Sequence, residues 1–417
     1  MGSTEREFDL VVYGVTGYSG KLTAEYLARV AGPARIALAG RSRQRLLAVR
    51  ESLGLAARDW SLIVADTAEP AAVQAMAART RVLLTTVGPY TTHGLPVVAA
   101  CARAGTDYCD LTGEVMFVRG SIDRYHKQAA DTGARIVVSC GFASIPSDLN
   151  VYQLYRRALR DGAGELGDTT LVFRSFFQGG GSGGTIASEF ESMRTASSDP
   201  DARRLMHDPY TLSPDRGAEP DLGPQRDFRF RPGSRIAPEL AGYWVGGLVW
   251  APHNTRVIRR SNALQNWAYG RQFRYAETMS LGKSAVAPVA AGAVTATLAG
   301  AFALGTRYFR RVPQRWVRPL ARPGSGPGEA MRERGHYTVE TYTTTTSGAR
   351  YLGTFAQQLD AYSGTGVLLA ECGLALAFDR DRLSDARGVL TPAAAMGDAL
   401  LSRLPGAGVS LHTVRLS

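Results

Sequence analysis

Residues 8–30 read FDLVVYGVTGYSGKLTAEYLARV, and this stretch decides the fold. A mostly apolar run of strand length, 8–13, passes without a break into Gly14, Gly17 and Gly20, and a segment of helical spacing follows over 21–30. A strand-to-helix turn needs glycine at these three places for separate reasons. A side chain at the first would obstruct the tight turn, and one at the second would keep a pyrophosphate off the backbone. One at the third would hold the helix away from the strand. The free N–H groups at the helix start then face the anion. Gly14, Thr16, Gly17, Tyr18, Ser19 and Gly20 are therefore expected to bind a dinucleotide.

The pattern repeats outward from there. Apolar runs at 35–39, 61–65, 82–87, 106–111 and 135–140 alternate with segments of helical spacing such as 43–53. This alternation predicts an α/β fold, a doubly wound parallel sheet covered on both faces, with ligands at the carboxyl edge of the strands. The second run ends in Ala39-Gly40-Arg41-Ser42, with no carboxylate until Glu51. An NAD site would place Asp or Glu near here for the ribose 2′-OH, whereas a guanidinium forks onto a 2′-phosphate. The expected cofactor is NADP(H), held by Arg41 and Ser42. Asp66 is read either as an acceptor for the adenine amine or as the N-cap of the next helix. Gly88 and Pro89 stand where the nicotinamide half should lie, with Tyr90 beside them and His93 near the same edge.

At 417 residues, 45 % hydrophobic and 20 % charged, the composition is that of a globular protein with more than one domain. Cys101, Cys109, Cys140 and Cys372 have no metal-ligand spacing, so no metal site is expected, and a reducing, cytoplasmic setting is. The N-terminal MGSTEREFDL is polar and carries no signal-peptide pattern. The net charge is +11, and 45 of the 48 basic residues are arginine. With no basic repeat interleaved with aromatics, nucleic acid is not an expected partner.

A first domain over 1–145 gives way to a second, α+β domain over 146–380 containing an antiparallel sheet, and 381–417 is expected to return to the first as a helix and strand. Residues 337–346 and 349–359 flank Ser347-Gly348 and read as a hairpin of that sheet. A second glycine-rich loop, 179–185, lies between a strand over 171–177 and a helix starting near Ile186; it is either a close approach to ligand or a connector. Residues 284–306 contain no charge, which leaves a membrane span, a membrane-touching helix or soluble packing open. Residues 307–334 follow with Arg307, Arg310, Arg311, Arg315, Arg318, Arg322, Arg332 and Arg334 against only Glu329 and Glu333. The segment 284–334 is thus expected to touch an anionic membrane surface, peripherally at the inner face of the plasma membrane, or an acidic partner.

Together VVYGVTGYSGKLTAEYLA (11–28), LAGRS (38–42), TTVGPYTTHG (85–94), AGTDYCDLTGE (104–114), CGFASIPSDL (140–149), GGTIAS (183–188) and GVLTPAAAMGDAL (388–400) resemble the saccharopine dehydrogenase-like oxidoreductases. Within that group they are similar to the trans-acting enoyl reductases of actinobacterial lipid, glycolipid and polyketide pathways. The resemblance implies an NADP-binding Rossmann domain, a second α+β domain, and reduction of an activated C=C bond of a small-molecule or carrier-bound acyl substrate. It also implies membrane association and an acyl carrier or polyketide synthase as partner. Where the family has GFDSIPSD this chain has Ala143, leaving Asp148 as the carboxylate of that turn.

Such a reduction needs one hydrogen-bond donor and one proton source beside the cofactor. Tyr90, Asp110, Glu114 and Asp148 are the catalytic candidates at the sheet edge, with Tyr108 nearby. Asp110 and Glu114 have a competing reading as caps of the following helix or partners of arginines. An alternative chemistry, imine reduction of the saccharopine type, would require arginines such as Arg174, Arg194 and Arg256 to hold substrate carboxylates. A cofactor-binding sensor or scaffold without turnover is the remaining alternative.

Overall fold

A computed structural model of the chain describes residues 6–177, 183–313 and 326–417. Seven strands form the first sheet: β1 (Phe8–Tyr13), β2 (Ile36–Gly40), β3 (Ser61–Val64), β4 (Thr80–Thr85), β5 (Asp107–Cys109), β6 (Arg135–Val137) and β13 (Gly388–Leu390). Their order is β13-β6-β5-β4-β1-β2-β3, and every pairing is parallel. Every residue of β1 is buried, which is why its sequence is apolar apart from Asp9, whose carboxylate pairs with Arg35. Helices α1 (Tyr18–Val30), α2 (Arg43–Ser52), α3 (Pro70–Ala78), α4 (Tyr90–Ala104) and α5 (Val115–Thr132) connect the strands. The strand order reverses between β1 and β4, which opens a ligand crevice at their carboxyl ends.

After α6 (Ile145–Arg160) the chain builds a second, mixed sheet. Its strands are β7 (Leu166–Phe177), β8 (Arg231–Pro232), β9 (Trp244–Gly247), β10 (Arg274–Ser280), β11 (His336–Thr345), β12 (Arg350–Gln357) and β14 (Val409–Arg415), in the order β14-β12-β11-β7-β10-β9-β8. The β11–β12 hairpin forms as the sequence predicts, its turn closing at Gly348 with φ +85°. Helices α7 (Gly183–Ser198), α8 (Pro200–His207), α9 (Ala251–Leu264), α10 (Ala287–Tyr308), α11 (Glu329–Arg332), α12 (Ala361–Phe378) and α13 (Pro392–Arg403) complete the chain. The loop over 178–182 and the arginines at 315, 318 and 322 lie outside the described residues.

Two boundaries differ from expectation. The return to the first sheet begins at α12, not at 381, because this helix is apolar on all sides and packs between α1 and strands β1 and β4. The last strand, β14, does not return to the first sheet. It pairs antiparallel with β12 at the edge of the second. Only β13 and α13 of the C-terminal stretch serve the first sheet. The strands β5 and β6 are also shorter than their apolar runs. Both stop where the buried carboxylate of Asp110 draws in the Thr112 and Ser139 amides at 3.0 and 2.8 Å and turns the backbone away.

Helix α10, the uncharged stretch, lies along β9 and α7 rather than standing clear of the protein. Its outer side, with Val289 and Leu304, remains bare. One large apolar core joins both sheets, and a small second cluster (Val172, Ala237, Leu240, Val245, Tyr342) sits on the second sheet alone.

Candidate active site

Gly14 adopts φ +89°, and a Cβ there would stand 2.8 Å from Thr86 Oγ1 and from Val87 Cγ2. A Cβ on Gly20 would run into the Gly14 carbonyl. Above Gly17, by contrast, a Cβ would meet only that carbonyl, at 3.2 Å, so the space a pyrophosphate would take is open. Gly17 is the N-cap of α1 and supplies no side-chain cap, which leaves the first-turn amides to a ligand. Thr16 is exposed on this turn and Ser19 half-buried. Tyr18 is turned aside: its hydroxyl donates to the Pro327 carbonyl at 2.5 Å, and its ring packs edge-on against Tyr362 at 5.3 Å.

Arg41 is exposed and makes no ion pair with a described residue. Ser42 caps α2 by accepting the Arg45 amide at 3.4 Å, which keeps its own hydroxyl proton available. Asp66 does not cap α3. That position is Glu69, and the Asp66 carboxylate instead accepts the Ala68 amide at 3.0 Å within its own loop, leaving the second oxygen open. At the end of β4 the Gly88–Pro89 peptide is cis. An open glycine turn, an uncapped helix start and a free guanidinium beyond β2 are what NADP(H) needs, and the residues present fit it.

The four carboxylate and phenol candidates are brought to this edge, and each already has backbone partners. Glu114 does not cap its own helix, α5; it caps α4, accepting the Tyr90 and Thr91 amides at 2.8 Å each and the Thr91 hydroxyl at 2.6 Å. Tyr90 is buried, donating to the Thr85 carbonyl and accepting the Leu111 amide, both at 3.1 Å. Asp110, besides its two amides, accepts the Tyr108 hydroxyl at 2.9 Å, and burial pushes its carboxyl up to about 7. Asp148 accepts Ser261 Oγ at 2.5 Å and the Ala393 amide at 2.8 Å, and burial raises it likewise to about 7. His93 shares a 3.2 Å hydrogen bond with Thr67.

The opposite wall holds what sequence reasoning missed. Helix α7 approaches Gly88 so closely that a Cβ there would be 3.3 Å from Ser188 Oγ. The next residue, Glu189, is exposed. Desolvation and then the nearby Glu114 charge raise its carboxyl above the usual range. Among the described residues neither Ser188 nor Glu189 has a hydrogen-bond or ion-pair partner. Their signals in the sequence were the glycine-rich loop before the helix and, for Ser188, the GGTIAS stretch (183–188).

Two further buried groups stand behind the sheet edge. His253 shares a 2.9 Å hydrogen bond with Ser139, which sits at φ +64°, while its Nδ1 is buried without a partner. Burial, then Arg256, pushes this imidazole down to about 3, so it is neutral. Asn254 donates to the Ala143 carbonyl at 2.6 Å and to Glu277 at 3.0 Å, and burial pushes Glu277 up to about 7. Phe142 packs against Tyr337 at 4.6 Å and Trp250 at 5.4 Å, making an apolar wall beside them. Arg332, which the sequence grouped with the partner-facing arginines, acts electrostatically on Tyr18 and has a buried Nε without a hydrogen bond.

The arginines that imine chemistry would require are already neutralised. Arg174 pairs with Glu340 at 3.1 Å, Arg194 with Glu191 at 2.5 Å, and Arg256 with Asp227 at 2.9 Å.

Comparison with known proteins agrees with this geometry. Residues 10–137 match the family model of the saccharopine dehydrogenase NADP binding domain. The chain is 68 % identical over 418 residues to a trans-acting enoyl reductase of Mycobacterium tuberculosis, covering 100 % of both. A trans-acting enoyl reductase of Mycobacterium leprae is 65 % identical, again covering 100 % of both. The solved structure of apo saccharopine dehydrogenase (L-Glu forming) from Saccharomyces cerevisiae shares the fold. It gives a TM-score of 0.53 at 12 % identity, over 98 % of this chain and 99 % of that one.

Proposed function

The chain belongs to the trans-acting enoyl reductases, NADP-dependent oxidoreductases with a saccharopine dehydrogenase fold, and from that premise we propose that it reduces the C=C bond of an α,β-unsaturated acyl thioester. The substrate in this reading is an acyl chain of lipid or polyketide type, presented by the carrier of a separate synthase. NADPH, when bound, supplies the hydride for the β carbon. The chain's own residues do the rest. The amides of the glycine turn hold the pyrophosphate, and Arg41 with Ser42 holds the 2′-phosphate. The aromatic wall of Phe142 and Trp250 sheathes the acyl chain. The Ser188 hydroxyl donates to the thioester oxygen as negative charge develops there. Glu189 then delivers its proton to the α carbon.

The observation that carries this reading is that Ser188, against Gly88, and Glu189, near Glu114, have no hydrogen-bond or ion-pair partner among the described residues. A proton donor must be protonated at working pH, and the neighbouring Glu114 charge favours that state of Glu189. Tyr90, Asp110, Glu114 and Asp148 enter as positioning residues, because their oxygens are engaged by the amides that shape the edge. The Glu189→Gln protein should bind NADPH unchanged and reduce an enoyl thioester about a hundredfold more slowly. Turnover within about twofold of the unmutated protein removes Glu189 from the role. NADPH oxidation driven by an amine plus a 2-oxo acid, and not by the enoyl thioester, overturns the reaction class.

We also propose that the bare side of α10 rests on a cytoplasmic membrane face, with Arg307, Arg310 and Arg311 over anionic headgroups. All three arginines are exposed beside the apolar helix end. Reversing their charge should release the protein from anionic vesicles in a sedimentation assay, and unchanged binding contradicts the contact.

A further inference from the structure

A cavity of about 350 Å³ opens at the end of the second sheet where β7, β10 and β12 begin and β11 ends. It is lined by Arg229, Arg231, Arg235, Arg274 and Arg350, with Asp168 as the sole carboxylate of the lining. The fold assembles them from separate elements. Arg274 stands beside Asp168 in the β10–β7 register, and Arg350 stands opposite Thr344 in the β12–β11 register. Only Arg350 has an ion pair, with Glu239 at 2.5 Å. Arg229, Arg231, Arg235 and Arg274 have none among the described residues.

Single arginines without an ion pair, such as Arg41, occur elsewhere among the described residues, but here four of them gather round one cavity. Four like charges around one cavity repel each other. Burial, followed by Arg231, lowers the Arg229 guanidinium below its ordinary range, against the opposing pull of Asp168 and Asp227. Arginine forks match phosphate oxygens in geometry as well as charge, and the volume is at the small-ligand end of the usual range.

We propose that this cavity is a second anion site, which takes a small, multiply charged phosphate ester or anhydride. It is separate from the reductase cleft. Seven residue steps along β7 separate Thr170 from Phe177, beyond which α7 begins, roughly 23 Å of strand. The site therefore binds a ligand, or the far end of one, without touching the reacting atoms. It stands whether or not the bond reduced at the cleft is C=C.

The test is calorimetric titration of the full chain, first saturated with NADPH so that its glycine turn is filled. Inorganic pyrophosphate should bind saturably at one site, weaken at least tenfold in Arg229→Gln/Arg231→Gln and also in Arg274→Gln, and be unchanged in Arg41→Gln. Coenzyme A is the second probe. If the same variants weaken it in parallel, the phosphate arrives on a thioester handle; if only pyrophosphate responds, it arrives free. Without phosphate, the double variant should keep the cooperative melting of the unmutated protein, which shows that a loss of binding is not a loss of fold. Absence of saturable binding overturns the proposal. So does an affinity within twofold in both cavity variants, or loss of pyrophosphate binding in Arg41→Gln instead.

Discussion

The two walls of the reductase cleft are built on opposite principles. On the sheet wall, polar side chains are turned inward. Glu114 holds the start of α4, Asp110 holds the turns after β5 and β6, and Asp148 holds the start of α13. What that wall offers a ligand is backbone: the open glycine turn and the amides of α1. The α7 wall offers Ser188 and Glu189, side chains without a partner among the described residues. On the proposed reading, binding falls to the first wall and proton chemistry to the second.

The comparison breaks most readily at Gly20. A valine there must displace the Gly14 carbonyl and Thr86 Oγ1, so Gly20→Val should abolish NADPH binding measured by fluorescence titration. Retained affinity would show that the glycine turn does not hold the cofactor. On the other wall, Glu189→Gln should leave that affinity intact while lowering kcat about a hundredfold. The alkaline limb of its pH profile should vanish with it, because the acid must be protonated to act. If binding and turnover fell together, the division between walls would be wrong. A smaller effect belongs to Arg41→Gln, about tenfold weaker NADPH binding with NADH unchanged. Equal losses for both cofactors would place Arg41 away from the 2′-phosphate.

The smallest effect sharpens the inward-facing half of the comparison. Asp148 has a folded pKa of about 7, above its unfolded value, so it binds more protons folded than unfolded between those values. Its contribution to stability is complete below the unfolded pKa and is lost as pH rises toward 7. Asp148→Asn should therefore reduce the fall in unfolding free energy over about pH 4–7, by at most about 1.4 kcal/mol per pH unit. An unchanged slope in denaturant titrations would mean that Asp148 is ionised in the fold.

How legible each wall was follows from its construction. Gly14, Gly17 and Gly20 are spaced by the local demands of a strand-to-helix turn, so the parallel sheet and the NADP(H) cofactor could be read from residues close in the chain. The β11–β12 hairpin was equally local. Glu189 reaches the Glu114 neighbourhood, and Ser188 reaches Gly88, only because α7, which follows β7 of the second sheet, packs back against α4 of the first domain. No spacing encodes that. The carboxylates misled for the same reason. Glu114 precedes α5 in sequence, yet its partners belong to α4, across the edge. Helix α12 was placed with the second sheet because its uniform apolarity says that it is buried and not against what.

The division between walls, and the reaction it serves, can be tested in one measurement. NADPH deuterated at C4 on the transferred face is incubated with the protein and an α,β-unsaturated acyl thioester, and the product is examined by mass spectrometry and NMR. The account predicts a saturated thioester carrying one deuterium at the β carbon, with the α proton drawn from solvent. Deuterium at the carbonyl carbon, or no deuterium in any acyl product while NADPH is oxidised, would contradict it.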